Sequence, residues 1–227
     1  MSKASETAYF YIRSHILSGQ FAPGKQLREE ELAAGCGVSR TPVRDALRRM
    51  EAELYVRRGD NQRTYVAEWT VQDIQDIFTL RDMLEGYAAA RTAERATPEV
   101  IAQLAEYQQA IDVALNRKEG ADVEGFLHYN RAFHRLLIET AGSERLTALL
   151  ARLLQQPIIV RTALSYDVAD LLQSNAEHKM LVAAITAKDP EWARAILSGH
   201  IRRAFHVYEA AHTRLNARRP NEPPEDN

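Results

Sequence analysis

The stretch "GVSRTPVRDALRRM", which runs from Gly37 to Met50, decides how the first part of the chain folds. Ser39 stands two residues after the opening glycine, where a side-chain oxygen can cap the start of a helix. Pro42 then falls in the first helical turn, in which backbone N–H groups have no partner within the helix. The stretch therefore predicts a tight turn followed by a helix that Ser39 caps.

The predicted helix has an apolar stripe and a basic stripe on different faces. One face can pack into a domain, while the other presents guanidinium groups to a partner. Arginine suits guanine, because its planar fork can bond the O6 and N7 acceptors together. The apolar stripe consists of Val43, Leu47, Met50 and Leu54, and the basic stripe consists of Arg40, Arg44 and Arg48.

The segments on either side complete a DNA-binding arrangement. Before the stretch, "REEELAAG" predicts a short helix and "GCGV" a tight turn; after it, "YVRRGDNQRTYVAE" predicts two short strands around Gly59. A short helix, a turn and an arginine-faced helix indicate a helix-turn-helix, whose second helix enters the major groove. The hairpin would be a wing whose Arg57, Arg58 and Arg63 touch phosphate or the minor groove. The alternative is a solvated basic face without a ligand.

The distribution of charge also separates this first part from the rest of the chain. The 227 residues carry a net charge of −2, but residues 1–68 contain eleven Lys/Arg and nine Asp/Glu, and the remainder is acidic. A basic head on an acidic body is a mild sign of an anionic partner for the head. The single cysteine, Cys36, excludes an internal disulfide and fits a reducing cytoplasm. We see no signal peptide and no apolar run that approaches the ~20 residues of a membrane span.

Beyond the head, long amphipathic segments follow one another, separated by brief capping sequences such as "TPE" at 97–99. The chain is therefore predicted to be mostly α. A winged helix-turn-helix is expected in residues 1–68, an all-helical bundle of six to seven helices in 69–215, and a disordered tail in 216–227. The helices are predicted at 4–18 in the head and at 71–95, 98–117, 121–141, 144–164, 167–187 and 190–214 in the body.

Three of the seven histidines lie on the apolar stripes of three predicted body helices. A single inward histidine is most often a satisfied core residue, but three in one bundle are better explained by convergence. Neutral imidazole is a common ligand for divalent metals. One helical turn before His134 lies an asparagine that could add an oxygen ligand. The predicted metal ligands are therefore Asn130, His134, His178 and His200.

Arg81 is a second unusual residue, because it lies on the apolar stripe of the helix predicted at 71–95. A guanidinium in that position needs a partner. One interpretation is an ion pair with Glu85 at i+4. The other is an anchor for a carboxylate ligand beside the metal, since arginine binds carboxylates bidentately. Asn175, on the same stripe as His178, is the second residue assigned to the effector.

The head also carries a family resemblance. The segment "YIRSHILSGQFAPGKQLREEELAAGCGVSRTPVRDALRRME" resembles the winged helix-turn-helix of the GntR superfamily of bacterial regulators, and Val38 to Leu47 depart from its pattern only at Asp45. Leu54 stands where the family usually has glycine, and Glu30 stands where some members have a basic DNA contact. The resemblance implies operator contacts from Ser39, Arg40, Thr41 and Arg44, with Gly59 and Arg63 in the wing.

The body resembles the FCD-type effector domain of the FadR subfamily within that superfamily. The segments that carry this resemblance are "LRDMLEGYAAARTA", "YNRAFHRLLIETAGSERL" and "EHKMLVAAITAKDPEWARAILSGHI". In the family, an aspartate four residues before a helical histidine holds a metal together with two later histidines, which implies His134, His178 and His200 here. This chain has Asn130 at the aspartate position, and asparagine is a neutral and weaker ligand. The family's metal and a nearby arginine bind a small organic acid.

The sequence thus predicts a cytoplasmic transcriptional repressor that binds an inverted repeat in double-stranded DNA as a homodimer. Its helical domain is expected to bind zinc, nickel or manganese and a small carboxylate that weakens operator binding, and no membrane partner is expected. Two alternatives remain open. One is a metal-dependent enzyme that acts on a small organic acid, although no general base is apparent beside the histidines. The other is an effector-free regulator whose body only dimerises.

Overall fold

The computed structural model of the chain consists mainly of α-helices. Contacts between residues divide it into two compact units: the first contains the described residues up to Ile74 together with Leu154, and the second contains the others. The domain limits expected from the sequence stay predictions. No helix within the described residues has the length and hydropathy needed to cross a membrane. The residues described are 2–68, 70–117, 120–154 and 166–217, with side chains described as far as residue 210.

The first unit combines short helices with a small antiparallel sheet. Its elements are α1 (Lys3–Leu17), β1 (Gln26–Leu27), α2 (Glu29–Cys36), α3 (Arg40–Ala52), β2 (Val56–Arg58) and β3 (Thr64–Val66). Strand β3 lies between β1 and β2 and pairs antiparallel with both. Val56 faces Val66 across the β2–β3 hairpin, which confirms the predicted wing.

The helix-turn-helix forms where the sequence predicts it. Helix α2 ends at Cys36 and is capped by Gly37, whose φ of 68° is the left-handed conformation that glycine adopts without steric cost. Ser39 occupies the N-cap position of α3 with an extended backbone, but its side chain makes no cap hydrogen bond. Ser39 is therefore at the predicted N-cap position, but the predicted hydrogen bond from a backbone N–H to its side chain is not formed. Its exposed hydroxyl is available to a partner.

The apolar stripe of α3 packs into the core of the first unit, against α1. Val43, Leu47 and Met50 are buried, as predicted. Leu54 contradicts the prediction, because its side chain is 55% exposed and its φ is 59°. Helix α3 ends at Ala52, so helical periodicity no longer applies two residues later. The left-handed backbone also explains why the GntR pattern usually has glycine at this position.

The helices that follow form the second unit, except for the first turn of the first of them and for Leu154. The helix predicted at 98–117 ends earlier, at Leu115. The last helix continues to Ala217, past residue 216, where the tail was expected to start. The helix predicted at 144–164 is described only as far as Leu154, and its remainder and the tail beyond 217 lie outside the described residues. The helices are α4 (Val71–Arg95), α5 (Pro98–Leu115), α6 (Val123–Thr140), α7 (Glu144–Leu154), α8 (Val168–Thr186) and α9 (Pro190–Ala217).

Polar caps determine where several of these helices begin. Thr97 accepts a hydrogen bond from the backbone N–H of Val100 at the start of α5. Asp167 and Asp170 form a capping box at the start of α8, in which each side chain accepts from the other's backbone N–H. Because a cap sets the first residue of a helix, it also helps to determine which later residues face the interior.

A small apolar cluster joins the end of α5 to the beginnings of α6 and α8. Ile111, Leu115, Phe126 and Leu171 are buried together in this cluster. Phe126 and Leu171 both lie in the first turns of their helices. Helices α6 and α8 therefore start at the same end of the second unit and run in the same direction from there.

Candidate metal centre and DNA-binding surface

Three histidines from three helices meet in the interior of the second unit. His134 lies on α6, His178 on α8 and His200 on α9, and all three are buried. One ring nitrogen of each lies within 4.8 Å of those of the other two. The Nε2 atoms of His134 and His178 are 3.2 Å apart. The convergence predicted from the helical stripes is therefore present.

The separation of these nitrogens suits two ligands of one ion. Zinc–nitrogen bonds of ~2.0–2.1 Å at a tetrahedral angle would place the two nitrogens about 3.3 Å apart. A site made of imidazoles also suits nickel and other first-row divalent metals. The described residues thus bring together a donor set of the right type and spacing for a metal ion.

Two glutamates orient two of the imidazoles from outside the cluster. Glu177 Oε2 lies 2.7 Å from Nδ1 of His200, and Glu85 Oε2 lies 3.4 Å from Nδ1 of His134. A carboxylate beside Nδ1 favours the tautomer that carries its proton there, which leaves a lone pair on Nε2. Both histidines are therefore prepared to present Nε2 to an ion.

Arginines keep both glutamates ionised. Burial by itself would raise the pKa of Glu85, but Arg81, whose Nε is 2.7 Å from the carboxylate, and the nearby histidine lower this pKa to about 2. Burial would also raise the pKa of Glu177, but hydrogen bonds from His200 and Arg203 lower it to about 2. Both side chains are therefore carboxylates at neutral pH and can polarise the imidazoles.

Burial favours the neutral form of the remaining histidine. The ring of His178 stacks on Phe133, with 4.6 Å between the ring centroids. Desolvation, reinforced by the two neighbouring imidazoles, lowers the pKa of His178 well below its usual value. Desolvation lowers the pKa of His200 as well, although its bond to Glu177 opposes this. Neutral imidazole is the form that binds a metal.

Asn130 provides an independent sign that the site holds a ligand. It lies one helical turn before His134 on α6, and its Oδ1 is buried without a hydrogen-bond partner among the described residues. An unpaired buried acceptor costs ~1–3 kcal/mol, and a metal ion or another ligand would remove that cost. The residues present therefore fit a metal ion, while the role of Asn130 as its ligand stays a prediction.

Both residues assigned to the effector already have partners in the protein. Arg81 donates from Nε to Glu85 Oε1 at 2.7 Å, which is the ion pair considered as the alternative. Asn175 donates from Nδ2 to Asp112 Oδ1 at 3.1 Å and accepts from Gln108 Nε2 at 3.3 Å. Their effector role stays a prediction, and the structure gives each of them a structural role as well.

On the first unit, the basic stripe of α3 is exposed, as predicted. Glutamates of α2 bond two of its arginines. Arg44 Nε is 2.7 Å from Glu29 Oε2, and Arg40 Nη2 is 3.2 Å from the same oxygen. Arg40 Nη1 also bonds Glu30 at 2.9 Å. The exposed residues of this surface are Ser39, Arg40, Thr41, Arg44 and Arg48.

The hairpin adds further arginines to the first unit. Arg57 and Arg58 each form an ion pair with a glutamate, at 3.4 and 3.1 Å. Arg63 is exposed and has no ion-pair partner in the part of the chain that the structure describes. Gly59 has a packing role, since a Cβ at this position would lie 2.9 Å from the ring of Tyr65. The DNA contacts assigned to the hairpin stay predictions.

Sequence reasoning missed Glu177 and Arg203, two of the residues near the histidines. Glu177 directly precedes His178 in the chain but reaches His200 on another helix, and no local spacing predicts that contact. Arg203 lies three residues after His200, a spacing that puts both on one face of α9 and could have drawn attention to it. It bonds Glu177 through Nε and Nη2, at 2.8 and 3.0 Å.

Comparison with known families explains this combination of a DNA-binding head and a histidine-lined body. Residues 4–66 match the gntR family of bacterial regulatory proteins, and residues 76–203, more than half of the chain, match the FCD domain. The chain belongs to the GntR family and carries an FCD domain. The two matches confirm the resemblance stated from the sequence. Members of the GntR family bind operator DNA, and FCD domains bind small effectors.

Individual relatives of this GntR-family chain are also transcriptional regulators. It is 28% identical over 142 residues to the uncharacterized HTH-type transcriptional regulator YdhC of Bacillus subtilis (strain 168), a match that covers 63% of the chain and 62% of that relative. It is 28% identical over 240 residues to the HTH-type transcriptional repressor NanR of Cronobacter sakazakii, which covers 96% of the chain and 90% of NanR. The solved structure of E. coli McbR/YncC shares the fold, with a TM-score of 0.73, 24% identity, and coverage of 93% of this chain and 100% of that one.

The GntR-family chain is thus a transcriptional regulator rather than an enzyme. Its family and its relatives regulate transcription, and some of the relatives are repressors. The metal-dependent enzyme considered as an alternative is therefore wrong.

Proposed function

We propose that this regulator acts in the cytoplasm as a homodimeric repressor and releases its operator when a small carboxylate binds beside a metal ion in the FCD domain. The observation that carries the sensing part is the meeting of three buried histidines beside ionised glutamates. Relatives that are repressors, such as NanR, support a repressive output. The carboxylate must bind the DNA-free state of the dimer more tightly than the DNA-bound state.

The N-terminal end of α3 and the hairpin supply the operator contacts in this proposal. Arg44 would leave Glu29 and bond the edge of a guanine, while the exposed hydroxyls of Ser39 and Thr41 would bond phosphate oxygens. A two-fold dimer would place one copy of α3 on each half of an inverted repeat. The proposed contacts are Ser39, Arg40, Thr41, Arg44, Arg48, Arg58, Gly59 and Arg63.

His134, His178 and His200 would hold the ion, with Asn130 Oδ1 as the candidate fourth ligand. A bound zinc, nickel or manganese ion would supply a Lewis acid for a carboxylate oxygen of the effector. All four side chains are neutral when they bind a metal, so they would not offset the charge of a divalent ion. An anionic effector is therefore favoured electrostatically.

One face of α4 supports self-association. Leu80, Met83 and Tyr87 share this face and are 48%, 61% and 46% exposed. An antiparallel copy of α4 packed near Met83 would set Leu80 against the partner's Tyr87 and Asp76 against the partner's Arg91. Apolar and charged groups would then match about a two-fold axis, which is how an isologous dimer forms.

The DNA-binding part is tested with Arg44→Ala. Specific binding to an operator fragment selected from a random library should be lost in a gel shift, because no other side chain replaces the bidentate bond to guanine. Circular dichroism checks that the variant is folded. Arg135→Ala, which removes an exposed arginine from α6, is the matched control and should bind like the parent. Unchanged affinity in Arg44→Ala would refute this docking.

The sensing part is tested by elemental analysis of full-length protein purified without chelators. Metal should be present and should be lost in His178→Ala, whereas His128→Ala, which removes an exposed histidine from α6, should retain it. Small carboxylates are then screened by thermal shift and by release of operator DNA. Protein that takes up no zinc, nickel or manganese would overturn the sensing mechanism. A bound metal without any response to carboxylates would favour the effector-free regulator.

A further inference from the structure

Two buried hydrogen-bond donors near the histidines also lack partners among the described residues, namely Ser174 Oγ and Arg203 Nη1; Glu85 Oε2 and His178 Nδ1 lack hydrogen-bond partners as well. Ser174 is fully buried on α8, one helical turn before His178. Arg203 lies on α9, three residues after His200. Buried donors are normally satisfied, so two of them beside one cluster call for a ligand that accepts hydrogen bonds.

Ser174 lies at the same level of the bundle as Asn130. Both residues precede a histidine of the cluster by four positions, and the two histidines are in contact, with 3.2 Å between their Nε2 atoms. Since α6 and α8 run in the same direction, both residues lie about one helical turn, ~6 Å, from the histidines, toward the ends where the two helices begin. Three unpaired polar atoms therefore lie on one side of the metal centre, toward the end where α6 and α8 begin.

Contacts along α8 place the Arg203 guanidinium beside the same level. Its Nε bonds Glu177 at 2.8 Å, and its Nη1 lies 3.8 Å from Asp170 Oδ1, which is beyond hydrogen-bond distance. Asp170 is one turn before Ser174 on α8, and Glu177 is about one turn after it. The guanidinium thus extends along α8 past Ser174, and its Nη1 lies on the side toward Asp170 and the start of α8.

The unpaired donors, rather than the net charge, favour a ligand with acceptor oxygens in this corner, because Glu177 and Asp170 both lie beside Arg203. Glu177 offsets the charge of Arg203, but it occupies only Nε and Nη2. Asp170 accepts a hydrogen bond from the Asp167 backbone N–H through its other oxygen and belongs to the cap of α8. A carboxylate can accept from a guanidinium N–H and a hydroxyl at the same time, through its two oxygens.

We propose that Arg203 Nη1 and Ser174 Oγ bind one carboxylate of the effector, and that the effector is a short dicarboxylate whose second carboxylate reaches the histidine level. This inference rests on the proposed function, because the metal held by the histidines is the anchor for the second carboxylate. It assigns the arginine anchor to Arg203 rather than to Arg81. Two anchors about one helical turn apart require two anionic groups joined by a short chain.

The test uses full-length, metal-loaded protein and isothermal titration with malonate, succinate and glutarate, with butyrate as the monocarboxylate comparison. Ser174→Ala removes the hydroxyl alone. Arg203→Lys keeps a positive charge for Glu177 but replaces the three nitrogens of the guanidinium with one, so the donor at Nη1 is lost. Each variant should weaken binding of the best dicarboxylate about tenfold or more, the effect of losing a charge-assisted hydrogen bond. Metal content should not change in either variant.

Arg202→Lys is the matched control, since Arg202 is the exposed neighbour of Arg203 and pairs with Asp82. It should bind the dicarboxylate like the parent. The inference is overturned if both test variants bind like the parent, if butyrate binds as tightly as the best dicarboxylate, or if none of the three dicarboxylates binds. Protein without metal would instead overturn the proposed sensing function itself, so the two failures are distinguishable.

Discussion

Replacing Glu29 with glutamine is expected to strengthen DNA binding, because Glu29 competes with DNA for two arginines of α3. In the free protein its carboxylate bonds Arg44 at 2.7 Å and Arg40 at 3.2 Å. An arginine that turns toward a guanine or a phosphate gives up these bonds. Glutamine keeps the size of the side chain and removes its charge, so Glu29→Gln weakens the competing interaction with little change in shape.

The size of the effect follows from the exposure of the three side chains. Each arginine side chain is 52% exposed and that of Glu29 is 29% exposed, so water screens both ion pairs. Such pairs contribute ~0.2–1 kcal/mol each. Giving up two of them therefore costs about 0.4–2 kcal/mol, and the variant should bind DNA about 2- to 30-fold more tightly than the parent.

Fluorescence anisotropy with a selected operator and with a scrambled duplex measures this gain at several salt concentrations. The gain should shrink as salt rises, because salt screens exposed ion pairs. Glu31→Gln is the matched control, since Glu31 lies on the same helix but pairs with Arg28 rather than with α3. An equal gain in both variants would mean that the loss of a negative charge near the DNA, and not the release of Arg40 and Arg44, causes the effect. A loss of affinity in Glu29→Gln would mean that Glu29 holds the arginines in their DNA-bound orientation, which would refute competition.

Three further predictions concern stability, metal affinity and assembly. Leu54→Gly should raise the free energy of unfolding in urea by about 1 kcal/mol, because a left-handed residue other than glycine costs ~1–2 kcal/mol; Leu54→Ala should give no such gain. Glu177→Gln should weaken metal binding about 10–100-fold in a chelator competition, since it loosens the orientation of a ligand histidine, whereas Glu139→Gln on the exposed face of α6 should have no effect. Met83→Glu should convert the dimer to a monomer in light scattering, because a two-fold axis near this residue would bring two like charges together; an unchanged dimer would refute the α4 contact.

Helical periodicity was enough to find the three histidines. Each lies on an apolar stripe, and residues on such a stripe face the interior of a bundle. The same reasoning was wrong for Leu54, because the stripe was extended past the point where α3 ends. A local left-handed turn changes the direction of the next side chain, and helical periodicity does not reveal such a turn.

The environment of the histidines could not be predicted in the same way. Glu177 meets His200 and Arg203 across two helices, and that contact depends on how α8 packs on α9. The pairing of Arg81 with Glu85 was one of two open interpretations, and the structure contains this ion pair between two buried side chains. A buried charge is costly without such a partner, while the effector role of Arg81 stays a prediction.

The sequence by itself determined the fold class, the helix-turn-helix with its wing, the regulator family and the three converging histidines. These features depend on local signals, namely caps, glycine turns and side-chain periods of 3.6 and 2. Only the tertiary structure decided which carboxylates orient the imidazoles, which glutamates restrain the arginines of α3, and which buried donors remain without partners. Those relations join residues that are distant in the chain, and their distances and burial arise only when the helices pack together.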